Sequence, residues 1–351
     1  MRLEVTTTNI LLMIGATFLF SLILVPIFKR VAFHIGALDY PNQRRLNKVP
    51  MPTIGGLAVF FSFLLGYMIF GRGTTEMISI LIASFVILMV GLIDDIKPIS
   101  AKYQFLGQTI AVLIIMLYGH ITIDNLTILG HTFVFDAPWN YIVTLIFMLG
   151  IINAIDLSDG MDGLSSGISI IYFITIVVIA SIIGGGKLGN MDTTIAILMI
   201  GSLLGFLVYN FPPAKIYIGD SGSNFMGLMV ATTALYGFKL ATFTSLLIPL
   251  AILATPIIDV LFSIIRRGLK KKNPFTTPDK EHLHHQLLKM KFSTRVSLII
   301  IYIINLLFAG VSILYALGEI RYAIILYVAL MVVFLFIVLK TDILFPKRKE
   351  K

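Results

Sequence analysis

Five short stretches collect the residue types that handle phosphate and divalent cations. Asp94 and Asp95 stand side by side, with Lys97 and Lys102 just after them. Adjacent carboxylates repel, so one can ligate a cation while its neighbour, its proton affinity shifted, acts as a base. Asp156, Asp159 and Asp162 follow at intervals of three, with Gly160 and Gly163 between and after them. That spacing predicts acids on one side of a helical turn, at a helix start whose free N–H groups accept an anion. Acids plus free amides suit a metal–phosphate complex. The stretch from Asp156 lacks the full ligand series and terminal Glu of a calcium loop.

The third stretch runs from Asn210 to Gly222. Pro212-Pro213 ends one helix. Asp220 is expected in a tight turn before the next helix, where it can ligate a metal; it or Ser221 can also cap that helix. Lys215 can meet a phosphate, and Tyr217 can stack on a ring. The fourth stretch, 266–295, is rich in Lys and Arg and carries His282, His284 and His285. Thr277-Pro278 predicts a helix start, which puts His282 and His285 on one face. There is no His-Glu-x-x-His and no third ligand, so histidines facing a pyrophosphate are expected rather than zinc. Lys270, Lys271 and Lys272 suit anionic lipid headgroups. The fifth stretch holds Lys48, Thr53, Gly55 and Gly56, a phosphate-recognition set. Arg44 and Arg45 nearby are equally explained by membrane orientation.

The elements that must position these residues are membrane spans. Of 351 residues, 58% are hydrophobic and only 13% charged, with a mean hydropathy of +0.96. A soluble chain carries about 25% charged residues. Soluble and disordered classes are excluded, and the expectation is a single all-α polytopic membrane domain over 1–351. Eleven spans are expected: 9–28, 54–70, 77–93, 103–118, 139–155, 164–183, 193–209, 223–238, 242–265, 296–315 and 322–339. Pro249 and Pro256 predict a kink or break in the ninth. The first span shows no cleavage pattern and is read as retained. Either a small extracellular β-hairpin, with its turn at Gly130-His131, or an irregular loop is expected at 121–136. With no Cys, disulfide and thiolate chemistry are absent.

The net charge of +9 orients the chain; no nucleic-acid partner is expected. Of 27 lysines and arginines, all but Arg2, Arg72, Lys187, Lys239 and Arg321 fall on one set of alternate loops. Positive residues stay cytoplasmic, which predicts N-terminus out and C-terminus in. All five stretches then share the cytoplasmic face. Acids at the edge of hydrocarbon are costly unless paired or metal-bound, so their grouping points to one shared site. Asp259, the one mid-span acid, is read as a cleft-lining group in preference to a buried hydrogen-bond acceptor.

Five segments, in this order, resemble the polyprenyl-phosphate N-acetylhexosamine-1-phosphate transferase family, of the glycosyltransferase family 4 type. They are Lys48 with Pro52-Thr53 and Gly55-Gly56; Asp94-Asp95; Asp159-Gly160 with Asp162-Gly163; Asn210 with Pro213 to Lys215 and Gly219 to Gly222; and His282 with His284-His285. Within the family, the chain is similar to the branch that starts teichoic acid and related bacterial surface polymers.

The resemblance implies transfer of GlcNAc-1-phosphate from UDP-GlcNAc to undecaprenyl phosphate, with UMP released. It implies Mg²⁺, with Mn²⁺ as a substitute, a homodimer, and a multi-pass protein of the bacterial cytoplasmic membrane. By the same resemblance Asp94 and Asp95 sit nearest the lipid phosphate, Asp94 as base. Asp159 positions substrate, and Asp220, with Asp159 and Asp95, holds the metal. Lys48 and Thr53 lie near the nucleotide phosphates, and Asn210 and Tyr217 near the uridine. Lys102, Asp162 and Lys215 join the substrate-binding set. His282, as a catalytic residue, and His284 and His285 contact the sugar phosphate or pyrophosphate.

Two positions depart from the pattern: Asp156 replaces a usual Asn, and Gln104 stands where a basic residue is common. The departure at Gln104 leaves Lys102 to contact the lipid phosphate. The nearest alternative is the sibling that transfers phospho-MurNAc-pentapeptide, whose three consecutive histidines are not matched here. A cation-coupled transporter predicts midplane acids and inverted repeats, and no repeat is found in the sequence.

Overall fold

The computed structural model describes residues 7–40, 49–128, 131–184, 188, 190–239, 253–269 and 283–340. They fall into two compact units, Met1–Leu246 and Leu247–Lys351.

Among the described residues the first unit contains eight helices: α1 (Thr7–Ile35), α2 (Gly55–Phe70), α3 (Thr75–Ile96), α4 (Ala101–Leu113), α5 (Trp139–Ser158), α6 (Leu164–Ile183), α7 (Met191–Asn210) and α8 (Gly219–Lys239). A π-helical turn, Ile114–Tyr118, continues α4. Local signals explain several boundaries. Thr74 caps α3 by accepting the Met77 N–H at 3.2 Å, with Glu76 favourably placed in the first turn. Tandem prolines Pro212 and Pro213 follow α7, where a helix cannot continue.

Residues Ser221 to Tyr236 of α8 are all buried, and this helix packs against α2, α3, α5, α6 and α7. Its Gly, Ser, Thr and Asn content fits that sheathed position, because small residues let neighbouring backbones approach. Many outward residues of the other helices are large and apolar, as Leu11, Ile23 and Ile146 illustrate.

The second unit contains α9 (Ala254–Leu269), α10 (Leu283–Lys289), α11 (Thr294–Ala316) and α12 (Ile320–Lys340). α11 packs against α9, α10 and α12. Pro256 lies in the first turn of α9, where its missing N–H costs no helical bond. Pro249 lies outside the described residues.

The chain is thus an all-α polytopic membrane protein. Among the described residues, seven helices are long and apolar enough to cross a membrane, and Gly55–Phe70 and Ile320–Phe336 are shorter apolar helices. The expected hairpin is present: β3 (Asn125–Ile128) pairs antiparallel with β4 (His131–Val134). His131 belongs to the strand rather than to the expected Gly130-His131 turn, and Gly130 lies outside the described residues. A two-residue pair, β1 (Leu38–Asp39) with β2 (Met51–Pro52), was not expected.

Several boundaries differ from the sequence reading. α1 runs seven residues past 28, carrying Lys29 and Arg30 on the helix. Arg266 and Arg267 lie in the last turn of α9 rather than in the following loop, and Arg266 is buried. α8 starts at Gly219, four residues earlier than expected.

Candidate active site

The earlier start of α8 decides the geometry. Gly219 has φ +71°, a left-handed conformation that a side chain would strain, and the helix begins there. Asp220 is therefore in the first turn of α8, not in a preceding turn. Neither Asp220 nor Ser221 caps this helix. Asp95 does so from α3: its Oδ1 accepts the Asp220 N–H at 3.0 Å and its Oδ2 the Ser221 N–H at 3.1 Å. Gly91, one turn earlier on α3, makes this approach possible, because a Cβ there would collide with the Ser221 backbone.

Asp94 turns the other way. Its Oδ1 accepts the Ile99 N–H at 2.7 Å, closing the α3–α4 connection. Its carboxylate also lies within hydrogen-bonding reach of Asp220. Asp156 joins them from α5, held by the Ser223 hydroxyl and by Asn224 Nδ2 at 3.2 Å. Asp94, Asp95, Asp156 and Asp220 thus converge from three helices and interact electrostatically. Among the described residues no Lys, Arg or His pairs with any of the four.

The 156–163 segment differs from expectation. Asp156 sits in the last turn of α5, Asp159 is the C-cap of that helix, and Asp162 lies in the loop before α6. The three acids do not share one helical turn, because α5 ends at Ser158 and Gly163, with φ +75°, starts α6. Asp159 accepts a hydrogen bond from the Ser165 hydroxyl, and its electrostatic neighbours are Asp156 and Asp162. Burial pushes this carboxyl up to about 7, with repulsion from Asp156 and Asp162 adding to it and the Ser165 bond opposing it. Asp162 Oδ2 accepts the Ala214 N–H at 2.9 Å; burial raises this group as well, against that bond.

Two expected ligand contacts are engaged inside the protein. Asn210 is buried; its Oδ1 accepts from the Gly163 N–H at 2.9 Å and Ser166 Oγ at 3.2 Å, and its Nδ2 donates to the Ile216 carbonyl at 3.0 Å. It clamps the 159–163 loop to the 212–216 segment. The Thr53 hydroxyl donates to the Ala37 carbonyl at 3.1 Å. Tyr217 is half-buried, with its N–H donated to Pro52 and its carbonyl accepting from Gly55. Lys102 and Lys215 are exposed.

In the second unit, His284 is buried beside His285, with ring centroids 4.2 Å apart. Asp259 is buried, and its Oδ1 accepts the Leu283 N–H at 2.9 Å. It is a hydrogen-bond acceptor at the start of α10, which corrects its reading as a cleft-lining group. Lys48 and His282, with Arg44, Arg45, Lys270 to Lys272 and the Thr277-Pro278 helix start, lie outside the described residues.

Sequence reasoning grouped Asp156 with the other acids without giving it a role, named Gln104 only as a departure from the family pattern, and missed Gln108, Ser223 and Asn224 around the cluster and Ser165 on Asp159. The usable signal was polar residues four apart within helices, Gln104 with Gln108 and Asp220 with Asn224.

The family model of glycosyl transferase family 4 matches residues 77–238, which contain the whole carboxylate cluster. The probable undecaprenyl-phosphate N-acetylglucosaminyl 1-phosphate transferase of Bacillus subtilis (strain 168) is 41% identical over 291 residues, covering 82% of this chain and 80% of that protein. The chain belongs to the polyprenyl-phosphate N-acetylglucosamine-1-phosphate transferase family. Its similarity extends to the decaprenyl-phosphate N-acetylglucosaminephosphotransferase of Mycobacterium tuberculosis (strain ATCC 25618 / H37Rv), 33% identical over 306 residues, 78% of this chain and 74% of that protein. The undecaprenyl-phosphate alpha-N-acetylglucosaminyl 1-phosphate transferase of Escherichia coli (strain K12) is 28% identical over 306 residues, 85% of this chain and 81% of that protein.

The donor set of the cluster fits a hard cation, since carboxylate oxygens suit Mg²⁺ and Mn²⁺. Among the described residues no three Asp, Glu or His side chains are already arranged to hold an ion. Mg²⁺ sites commonly use one or two carboxylates and complete their shell with water and substrate phosphate. The absence of a preformed cage is therefore compatible with such an ion.

Proposed function

We propose that the protein transfers GlcNAc-1-phosphate from UDP-GlcNAc to undecaprenyl phosphate, releasing UMP. One observation carries this reading: four carboxylates from α3, α5 and α8 gather at the first turn of α8, and among the described residues no cationic side chain stands against them. Such a group repels itself unless it meets a cation, and both proposed substrates are anions that need one.

Asp220 would hold Mg²⁺, with Asp94 and Asp156, which act on it electrostatically, as further carboxylates. The ion, when bound, neutralises charge on the nucleotide diphosphate. Asp95 keeps the first turn of α8 in place, and Asp94, within hydrogen-bonding reach of Asp220, would act as the base. A lipid-phosphate oxygen attacks the β-phosphorus, the bond from that phosphorus to the bridging oxygen breaks, and UMP leaves. Lys102 and Lys215, exposed on the same unit, supply positive charge for the phosphates. Asp159 and Asp162 border the substrate side, and His282, His284 and His285 are assigned to the sugar phosphate or pyrophosphate.

The cluster faces the cytoplasm, with the N-terminus outside, in line with the distribution of Lys and Arg. A homodimer in the bacterial cytoplasmic membrane is the proposed assembly, and initiation of teichoic acid or a related surface polymer the proposed role. The test is product analysis by mass spectrometry. Purified protein receives undecaprenyl phosphate with UDP-GlcNAc, or with UDP-MurNAc-pentapeptide. Undecaprenyl-pyrophosphoryl-GlcNAc should form with UDP-GlcNAc, and no lipid-linked product with UDP-MurNAc-pentapeptide; undecaprenyl-pyrophosphoryl-MurNAc-pentapeptide formed with the second donor, and no product with the first, would replace this reading with the pentapeptide sibling.

A further inference from the structure

α4 and α8 are joined by two polar rungs one helical turn apart. Gln104 Nε2 donates to Asp220 Oδ2 at 2.8 Å, and Gln108 Nε2 donates to Asn224 Oδ1 at 2.7 Å. The lower rung continues in both directions. Asn153 Nδ2 on α5 donates to Gln108 Oε1 at 2.9 Å, and Asn224 Nδ2 donates to Asp156 Oδ1 at 3.2 Å and to the Asp220 carbonyl at 2.8 Å. Gln108 and Asn224 are buried. Buried amides are costly unless paired, and here they pair in sequence, their donors running from Asn153 towards the acids.

The lower rung fixes the separation of α4 and α8. The upper rung then reaches the one acid that α8 contributes to the cluster. A donor on one carboxylate oxygen restricts the rotamer of the whole group and leaves its other oxygen for a ligand. Groups placed behind a metal ligand in this way orient it and tune its affinity.

We propose that Gln104 is a positioning residue that holds the Asp220 carboxylate in its cation-binding orientation. This rests on the reading of Asp220 as the Mg²⁺ ligand. Gln104→Met keeps the length and removes the donor. Full-length protein is purified in detergent, its folding checked by thermal unfolding, and Mn²⁺ binding followed by the loss of the free-ion signal in electron paramagnetic resonance. The same preparations are titrated with Mg²⁺ for UMP release. Gln104→Met should weaken Mn²⁺ binding about tenfold and raise the half-saturating Mg²⁺ in parallel, while kcat at saturating Mg²⁺ changes far less. Adding Gln104→Met to Asp220→Asn should weaken Mn²⁺ binding no further. Thr109→Ala, which removes only a local bond to the Phe105 carbonyl on α4, should bind Mn²⁺ like the parent. Gln104→Ser takes the place of Gln104→Met if the latter fails to fold.

Unchanged Mn²⁺ binding in Gln104→Met, or an equal loss in the Asp220→Asn background, overturns the proposal. A parent protein that releases no UMP with Mg²⁺ overturns the function proposed above, while Mn²⁺ binding still reports on Gln104.

Discussion

Asp95 and Asp220 meet through the backbone: the Asp95 carboxylate on α3 accepts the Asp220 N–H at 3.0 Å and the neighbouring Ser221 N–H at 3.1 Å. One acid therefore caps the helix that presents the other. Asp95→Ala removes two charge-assisted bonds and should cost roughly 2–3 kcal/mol of stability in addition to activity. Asp95→Asn keeps one acceptor oxygen and should cost about half as much. Thermal unfolding of the two variants checks the order; equal stability with the parent would contradict the cap.

Gly91→Ala tests the same junction by sterics. A methyl group at this position meets the Ser221 backbone, which cannot rotate away as a side chain can. The helices α3 and α8 must separate, and the cap lengthens with them. The expected cost is about 1–3 kcal/mol, with UMP release falling by more than the loss of folded protein explains. Gly150→Ala on α5, where nothing lies within 4 Å of an added methyl, is the control and should behave like the parent.

Asp156→Asn keeps an oxygen for the Ser223 hydroxyl and removes one negative charge from the cluster. The protein should fold normally. The Mg²⁺ concentration for half-maximal UMP release should rise about tenfold, the scale of one neighbouring charge in a partly buried site. An unchanged metal titration would show that Asp156 acts only as a packing partner of α8.

Asn210→Ala leaves the buried Gly163 N–H and Ile216 carbonyl without the partners they have now. Two buried groups losing a bond should cost roughly 2–5 kcal/mol. As a clamp on the Asp159–Asp162 loop, the variant should lower both thermal stability and kcat. A variant that keeps its stability and raises only the KM for UDP-GlcNAc would restore Asn210 as a direct nucleotide contact.

Local signals made part of this architecture readable. Long apolar runs gave most helices, and the alternation around Phe133 gave the hairpin. Asp94-Asp95 and Asp220 were recognisable because charge beside hydrocarbon is expensive without a purpose. The arrangement among the acids was not readable. Nothing within a few residues of Asp95 indicates that it caps a helix more than a hundred residues further along. Spacing of three placed Asp156, Asp159 and Asp162 on one turn, but the helix ends between the first and second of them. Asn210 has the residue type of a ligand contact, and only the fold shows its amide bonded inside the protein. Asp259 was misread for the corresponding reason, since its partner is a backbone N–H twenty-four residues away.

The most direct measurement is UMP release from UDP-GlcNAc and undecaprenyl phosphate by purified protein, with Mg²⁺ and with excess chelator, for the parent and Asp220→Asn. The account predicts release by the parent that stops with chelator and returns with Mg²⁺, and a loss of at least about a hundredfold in Asp220→Asn. Release by the parent that persists in chelator, or full release by folded Asp220→Asn, would contradict it.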